Sequence, residues 1–187
     1  GFTSITPVQE KTIPVMMEGH DVIAIAPTGT GKTCAFGIPM LEYISLTDNR
    51  IQELVLAPTR ELAVQIGEEL QKLAKFIPEV RIAVLYGGQP IVKQLNQLKR
   101  KPQIVVATPG RMLDHMQRGN VRLNAVHTLV LDEADEMLKM PAKEITPPFP
   151  CTFSPCKVTV LYDSDALSDF KTGVNSITAF LLKNFAG

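Results

Sequence analysis

Cysteine is scarce in this chain. Its three cysteines, Cys34, Cys151 and Cys156, form neither a C-x-x-C pair nor a disulfide framework, which favours a reducing, cytosolic (or nuclear) setting. No apolar run approaches the roughly 18 residues that a membrane-spanning helix needs, and the first residues lack a signal-peptide pattern. Neither sign of charge is in excess, since 19 basic residues balance 19 acidic ones. Composition therefore does not announce nucleic-acid binding, and any such claim must rest on local sites. His20, His115 and His127 show no ligand spacing and read as surface or core residues. Before residue 140 there is no internal repeat and no low-complexity segment.

What remains is an ordinary globular composition, with 45% hydrophobic and 20% charged residues in 187, enough for one domain with a sizeable core. Short runs rich in Val, Ile and Leu recur: "VIAI" at 22–25, "LVLA" at 54–57, "IAVL" at 82–85, "IVVA" at 104–107 and "LVLD" at 129–132. Continuous apolarity, without strict alternation, suits strands buried on both faces of a parallel sheet. Between them, "KTCAFGIPMLEYI" and "ELAVQIGEELQKLAKF" carry apolar residues at helical spacing, and Leu62, Ile66, Leu70 and Leu73 form a core-facing stripe. Alternating strand and helix predicts an open α/β sheet whose ligands bind at the carboxyl ends of its strands.

Two motifs occupy such ends. "APTGTGKT" at 26–33 follows the strand "VIAI" and opens a helix. It matches G-x-x-x-x-G-K-[ST] except that Ala26 replaces the first glycine. Thr28, Gly29, Thr30 and Gly31 would turn their backbone N–H groups onto phosphate oxygens. Lys32 adds a positive charge for the β- and γ-phosphates, Thr33 offers a hydroxyl to Mg²⁺, and the helix points its positive end at the anion. This is the pattern of a nucleoside triphosphate site. The second motif ends the strand "HTLVL" in Asp132 and Glu133. Asp132 suits the water-rich shell of Mg²⁺, and Glu133 is placed to orient or deprotonate an attacking water. Asp135 is expected to face away from the metal. Cys34, just inside the helix, is expected to pack rather than react.

Together, "APTGTGKT", "PTRELA" at 58–63, "GG" at 87–88, "TPGR" at 108–111, "DEAD" at 132–135 and the opening "GFTSITPVQ" resemble the DEAD-box RNA helicases. The resemblance spans residues 1–140. It implies a RecA-like P-loop NTPase domain, ATP and Mg²⁺ as ligands, and the backbone of single-stranded RNA as the polymer, with a cytoplasmic location and no membrane. Gln9 is implied as the reader of the adenine edge. Pro58, Thr59, Arg60, Gly88, Thr108, Gly110 and Arg111 are implied to line the RNA path, where arginine forks and exposed N–H groups hold phosphates without reading bases. Taken alone, "PTRE" would be a capped helix start and "TPGR" an ordinary turn.

The pattern fails after Met140. The Gly-Phe pair and the Ser-Ala-Thr tripeptide expected from the family are missing, and prolines crowd "PAKEITPPFP". "KVTVLY" at 157–162 is compatible with a sixth strand, and "DSDA" at 163–166 stands where the tripeptide would. Val174, Ile177, Leu181 and Phe185 share one helical face. Residues 141–187 read either as a divergent ending or as unrelated sequence from an altered frame or splice. The family also implies a second RecA-like domain, outside these residues, that supplies catalytic arginines. The expected function is the ATP-binding domain of an RNA helicase, slow and unable to unwind by itself. The alternatives are a non-catalytic RNA- or partner-binding module and a DNA-directed ATPase.

Overall fold

The computed structural model describes residues 4–140 and 157–163. The proposed helical face of Val174, Ile177, Leu181 and Phe185, both later cysteines, and residues 164–166 of "DSDA" lie outside them.

The five apolar runs all become strands, which are β1 (Val22–Ile25), β2 (Glu53–Leu56), β3 (Ile82–Leu85), β4 (Ile104–Ala107) and β5 (Thr128–Leu131). "KVTVLY" adds β6 (Lys157–Tyr162). The helices are α1 (Pro7–Met17), α2 (Lys32–Tyr43), α3 (Arg60–Leu73), α4 (Ile91–Leu98), α5 (Pro109–Gln117) and the short α6 (Ala134–Leu138). One sheet of order β1-β6-β5-β2-β4-β3 results, with every neighbouring pair parallel. β6 sits inside this sheet, between β1 and β5, and not at its margin.

Burial on both faces explains why the strands read as unbroken apolar runs. Leu54 and Leu56 of β2 join a core with Met112 of α5 and Met137 of α6. Val55 and Ala57, pointing the other way, join Phe36 and Met40 of α2 and Ile66 and Leu70 of α3. Phe36 and Met40 are fully buried, each such side chain stabilising the fold by about 1.5–3 kcal/mol. The stripe on α3 is as expected, Ile66 and Leu70 being buried and Leu62 and Leu73 packed at its margin. Gly67 lets α3 approach the sheet, because a Cβ there would lie 2.5 Å from the Val84 Cγ2.

At the amino end of β2, Glu53 is fully buried, with His127 Nδ1 3.3 Å from its Oε1. Burial pushes its carboxyl well above the usual glutamate range, against the opposing pull of Thr128 and Lys157. This acid belongs to the end of the sheet opposite the motifs.

Candidate nucleotide site and polymer-facing edge

Since all strands are parallel, their carboxyl ends open on one edge of the sheet, and the strand order divides that edge in two. Adjacent strands β1, β6 and β5 lead into the phosphate loop, Asp163, and the pair Asp132 and Glu133. Adjacent strands β2, β4 and β3 lead into residues 58–60, 108–111 and 87–88. The two groups of motifs thus lie on two halves of one surface.

On the first half, Gly29 and Gly31 take left-handed backbones at φ 81° and 84°, as a loop that turns its N–H groups inward requires. A Cβ at Gly29 would meet nothing within 4 Å, whereas one at Gly31 would come 2.3 Å from the Gln9 Nε2. Lys32 and Thr33 open α2 and are buried. The Lys32 Nζ donates to the Ala26 carbonyl at 2.9 Å, and the Thr30 hydroxyl to the Pro27 carbonyl at 2.7 Å. Gln9, at the third position of α1, accepts from the Thr6 N–H at 3.1 Å and donates to the Gly31 carbonyl at 3.2 Å. α1 is therefore clasped to the phosphate loop by one amide.

Asp132 is 3% exposed. Burial raises its carboxyl to about 6, the Lys32 ammonium opposing and the Glu133 carboxylate adding. Glu133 follows with φ 51° and ψ 52°, a left-handed conformation that costs a non-glycine residue on the order of 1 kcal/mol and is found where function fixes the backbone. Its N–H donates to the Asp132 Oδ1 at 3.2 Å. Its carboxyl is also raised, first by burial, with Lys32 opposing and Asp135, Asp163 and Glu136 adding. The half-buried Asp135 accepts from the Asp163 N–H at 3.5 Å. Cys34 is partly buried, and burial raises its thiol above the ordinary range, so it packs in its thiol form.

On the second half, Thr59 caps α3, accepting from the Leu62 N–H at 3.2 Å. The Arg60 guanidinium lies 5.5 Å from the centroid of the Tyr86 ring and 3.8 Å from Glu61. Arg111 donates to the Gln89 carbonyl at 3.1 Å, and Gln89 donates to the Tyr86 hydroxyl at 3.0 Å. Beneath them, Gln94 donates to the Tyr86 carbonyl at 2.8 Å and contacts the buried His115 Nε2 at 2.8 Å. Burial lowers the His115 pKa, leaving a neutral ring that supports the loop. Gly88 is left-handed at φ 81°, and both it and Gly110 are exposed.

Three contacts were not read from the sequence, namely Gln9 to Gly31, Arg60 to Tyr86, and the Thr28 hydroxyl to the Asp163 Oδ2 at 2.5 Å. Tyr86 had a local signal, standing directly before the Gly-Gly pair. Among the described residues no group of three or more His, Cys, Asp or Glu side chains could hold a metal. None of their helices is long and apolar enough to cross a membrane.

The family model for the DEAD/DEAH box helicase matches residues 6–147. The chain belongs to this helicase family. Over 140 residues it is 56% identical to the ATP-dependent RNA helicase CshA of Listeria monocytogenes, covering 75% of this chain and 27% of that protein. Identity is 54% over 140 residues to the DEAD-box ATP-dependent RNA helicase CshA of Geobacillus kaustophilus, covering 75% and 30%. This helicase chain thus spans under a third of the length of these curated relatives. Among solved structures it is similar to a hypothetical ATP-dependent RNA helicase from Sulfolobus tokodaii, with a TM-score of 0.78 and 36% identity, covering 94% of this chain and 51% of that one. A DEAD box protein from Methanococcus jannaschii gives 0.74 and 34%, covering 89% and 46%. The RecA-like fold expected from the motifs is the fold observed.

Proposed function

We propose that this helicase domain binds ATP with Mg²⁺ and the backbone of single-stranded RNA, as the first of two RecA-like domains of a cytoplasmic ATP-dependent RNA helicase. The observation that carries this reading is the division of one sheet edge into a phosphate-loop half and an arginine-bearing half. The relatives' names supply the polymer class.

The residues fit their proposed ligands. Gly29 borders open space and Gly31 holds its left-handed turn, so the loop N–H groups of residues 28–31 can converge on phosphate oxygens. Lys32 neutralises phosphate charge from the start of α2. A single buried carboxylate, Asp132, with the Thr33 hydroxyl suits Mg²⁺, which keeps several waters and needs no all-protein cage. Bound Mg²⁺ would screen the charge of the phosphates. Glu133, whose carboxyl burial raises above the ordinary glutamate value, orients and deprotonates the attacking water. Gln9 turns its amide from the Gly31 carbonyl to the adenine edge. Pro58, Thr59, Arg60, Gly88, Thr108, Gly110 and Arg111 hold RNA phosphates in a sequence-independent manner. Arginines from the second domain complete the catalytic site, so this domain hydrolyses slowly and does not unwind by itself.

The test is Lys32→Ala, read by titration with a fluorescent ATP analogue and with circular dichroism to verify folding. The expected result is loss of nucleotide binding by a folded protein, and unchanged affinity refutes the assignment. RNA-stimulated hydrolysis on adding a second RecA-like domain in trans is the complementary expectation.

A further inference from the structure

β3 ends the sheet, so one of its long sides has no strand beside it among the described residues. An open groove of about 720 Å³ follows that side, lined by residues of α3, β3 and α4. Tyr86 and Gln89 line it at the carboxyl end of β3, where one lies against Arg60 and the other accepts from Arg111. Arg81, just before β3, lines it at the amino end, and Lys75 and Arg100 also belong to its wall. From Arg81 to Tyr86 is five residue steps, about 17 Å of strand. Glu68 is the one acid in the lining, against three cations. Among the described residues none of the three is ion-paired. Arg81 donates to the Lys101 carbonyl at 3.0 Å and the Asn49 Oδ1 at 2.6 Å, both neutral, and the Lys75 Nζ lies 5.8 Å from the centroid of the Phe76 ring. Two backbone groups beside the groove are already taken, the Val84 N–H by the Gln97 Oε1 at 2.9 Å and the Tyr86 carbonyl by Gln94 at 2.8 Å. A peptide strand could not extend the sheet there without displacing both amides.

We infer that this groove extends the RNA path, with Lys75, Arg81 and Arg100 holding phosphates of a single strand that runs on past Tyr86 from Arg60 and Arg111. This rests on the RNA reading of the arginine-bearing edge. Two observations favour a nucleic acid over a peptide, namely the continuity of the groove with that edge and the occupied backbone groups beside it. At the roughly 3.4 Å rise of a stacked strand, the groove holds about five nucleotides. Its cations address the backbone, so they lengthen the bound segment without adding a base preference. Neutralising three phosphates of a single strand steepens the fall of log affinity with log salt by about 2.

The test is fluorescence anisotropy of the full chain with a short oligouridylate and with one lengthened by about five nucleotides at either end, from about 50 to about 200 mM salt. Across that range the longer RNA should lose about 20-fold more affinity than the shorter one. Lys75 and Arg100 are both exposed, and circular dichroism verifies that the double variant Lys75→Gln with Arg100→Gln folds. In that variant the excess loss should shrink to about threefold, with the short RNA unaffected. Each single variant should fall between the two. Equal salt dependence for both lengths in the wild type, or equal weakening of both lengths in the double variant, overturns the inference and leaves the RNA edge standing. A glutamate-rich peptide that binds the wild type but not the double variant, with both RNAs unaffected by the substitutions, overturns it in favour of a protein partner. Failure of the wild type to bind either RNA refutes the reading of the edge, and the inference falls with it.

Discussion

Replacing Gly31 by alanine separates two demands that its position makes at once. Its backbone is left-handed at φ 84°, which costs an L-residue about 1–2 kcal/mol. In addition, the new methyl would lie 2.3 Å from the Gln9 Nε2, a distance at which one group must move. Gln9 is the flexible partner, and displacing it forfeits its bonds to the Gly31 carbonyl and the Thr6 N–H, about 1 kcal/mol each. Gly31→Ala should therefore cost about 3–4 kcal/mol. Gly29 provides a control within the same loop, being left-handed at φ 81° with nothing within 4 Å of an added Cβ. Gly29→Ala should cost only the backbone share, about 1–2 kcal/mol. Urea denaturation of both variants, and of each in a Gln9→Ala background, measures the difference. In that background the excess cost of the Gly31 variant should disappear, giving a coupling of about 2 kcal/mol. Equal losses in the two glycine variants, or strict additivity with Gln9→Ala, would refute the claim that α1 is clasped to the phosphate loop through this amide.

Other outcomes follow from single contacts. Gly67→Ala should destabilise by about 1 kcal/mol net, an overpacking cost against Val84 partly offset by helix propensity; thermal melts should show partial recovery on adding Val84→Ala. Glu53 has its carboxyl raised in the native state, so its contribution is fully present below the ordinary glutamate value and is lost as pH rises through the native one. Glu53→Gln should therefore flatten the fall in stability above that range, as followed by urea titrations across pH, and a parallel pH profile in wild type and variant would count against it. Tyr86→Ala removes the ring beneath the Arg60 guanidinium and should weaken single-stranded RNA binding two- to fivefold by fluorescence anisotropy, whereas unaltered affinity would deny that the stack orients Arg60.

The strands were legible because a parallel sheet buries both faces, leaving no alternation to confuse with another period. Leu54, Val55 and Leu56 are apolar in sequence because they fill two cores in turn. The order of strands was not legible, since no local pattern tells "KVTVLY" to insert between β1 and β5. The candidate phosphate loop and acids stood out in the sequence because phosphate and metal chemistry dictates residue types at fixed spacing. Gln9 was found by resemblance, but its partner Gly31 lies 22 residues away, and the Asp163 partner of Thr28 lies beyond a proline-rich stretch where the family pattern stops. Such contacts are products of strand order, and strand order is what periodicity omits. The bland reading of "PTRE" also proved partly right, for Thr59 does cap its helix. A residue can serve the backbone with one atom and still stand at the carboxyl-end edge of the sheet.

The two halves of that edge are joined by backbone more than by side chains. One residue past the strands, Ala26 N–H donates to the Tyr162 carbonyl at 3.2 Å and Asp132 N–H to the Leu56 carbonyl at 3.0 Å. Ala57 N–H then donates to Ala107 and Thr108 N–H to Leu85, each at 3.0 Å. These bonds extend the sheet into the motifs, so the phosphate loop, the acids and the proposed RNA groups stand on one frame whose members cannot slide without breaking buried ladder bonds. What can move are the side chains that reach across it, namely Gln9 on Gly31, Asp163 on Thr28 and Arg60 on Tyr86. Each of these joins two separate segments of the chain, and each is held by one or two hydrogen bonds or a ring contact worth about 1 kcal/mol apiece. A ligand that binds with even modest differential affinity can rearrange them while the sheet stays fixed. The first two of these contacts lie within the phosphate-loop half of the edge and the third within the arginine-bearing half, so the substitutions at Gly31 and Tyr86 probe the two halves separately.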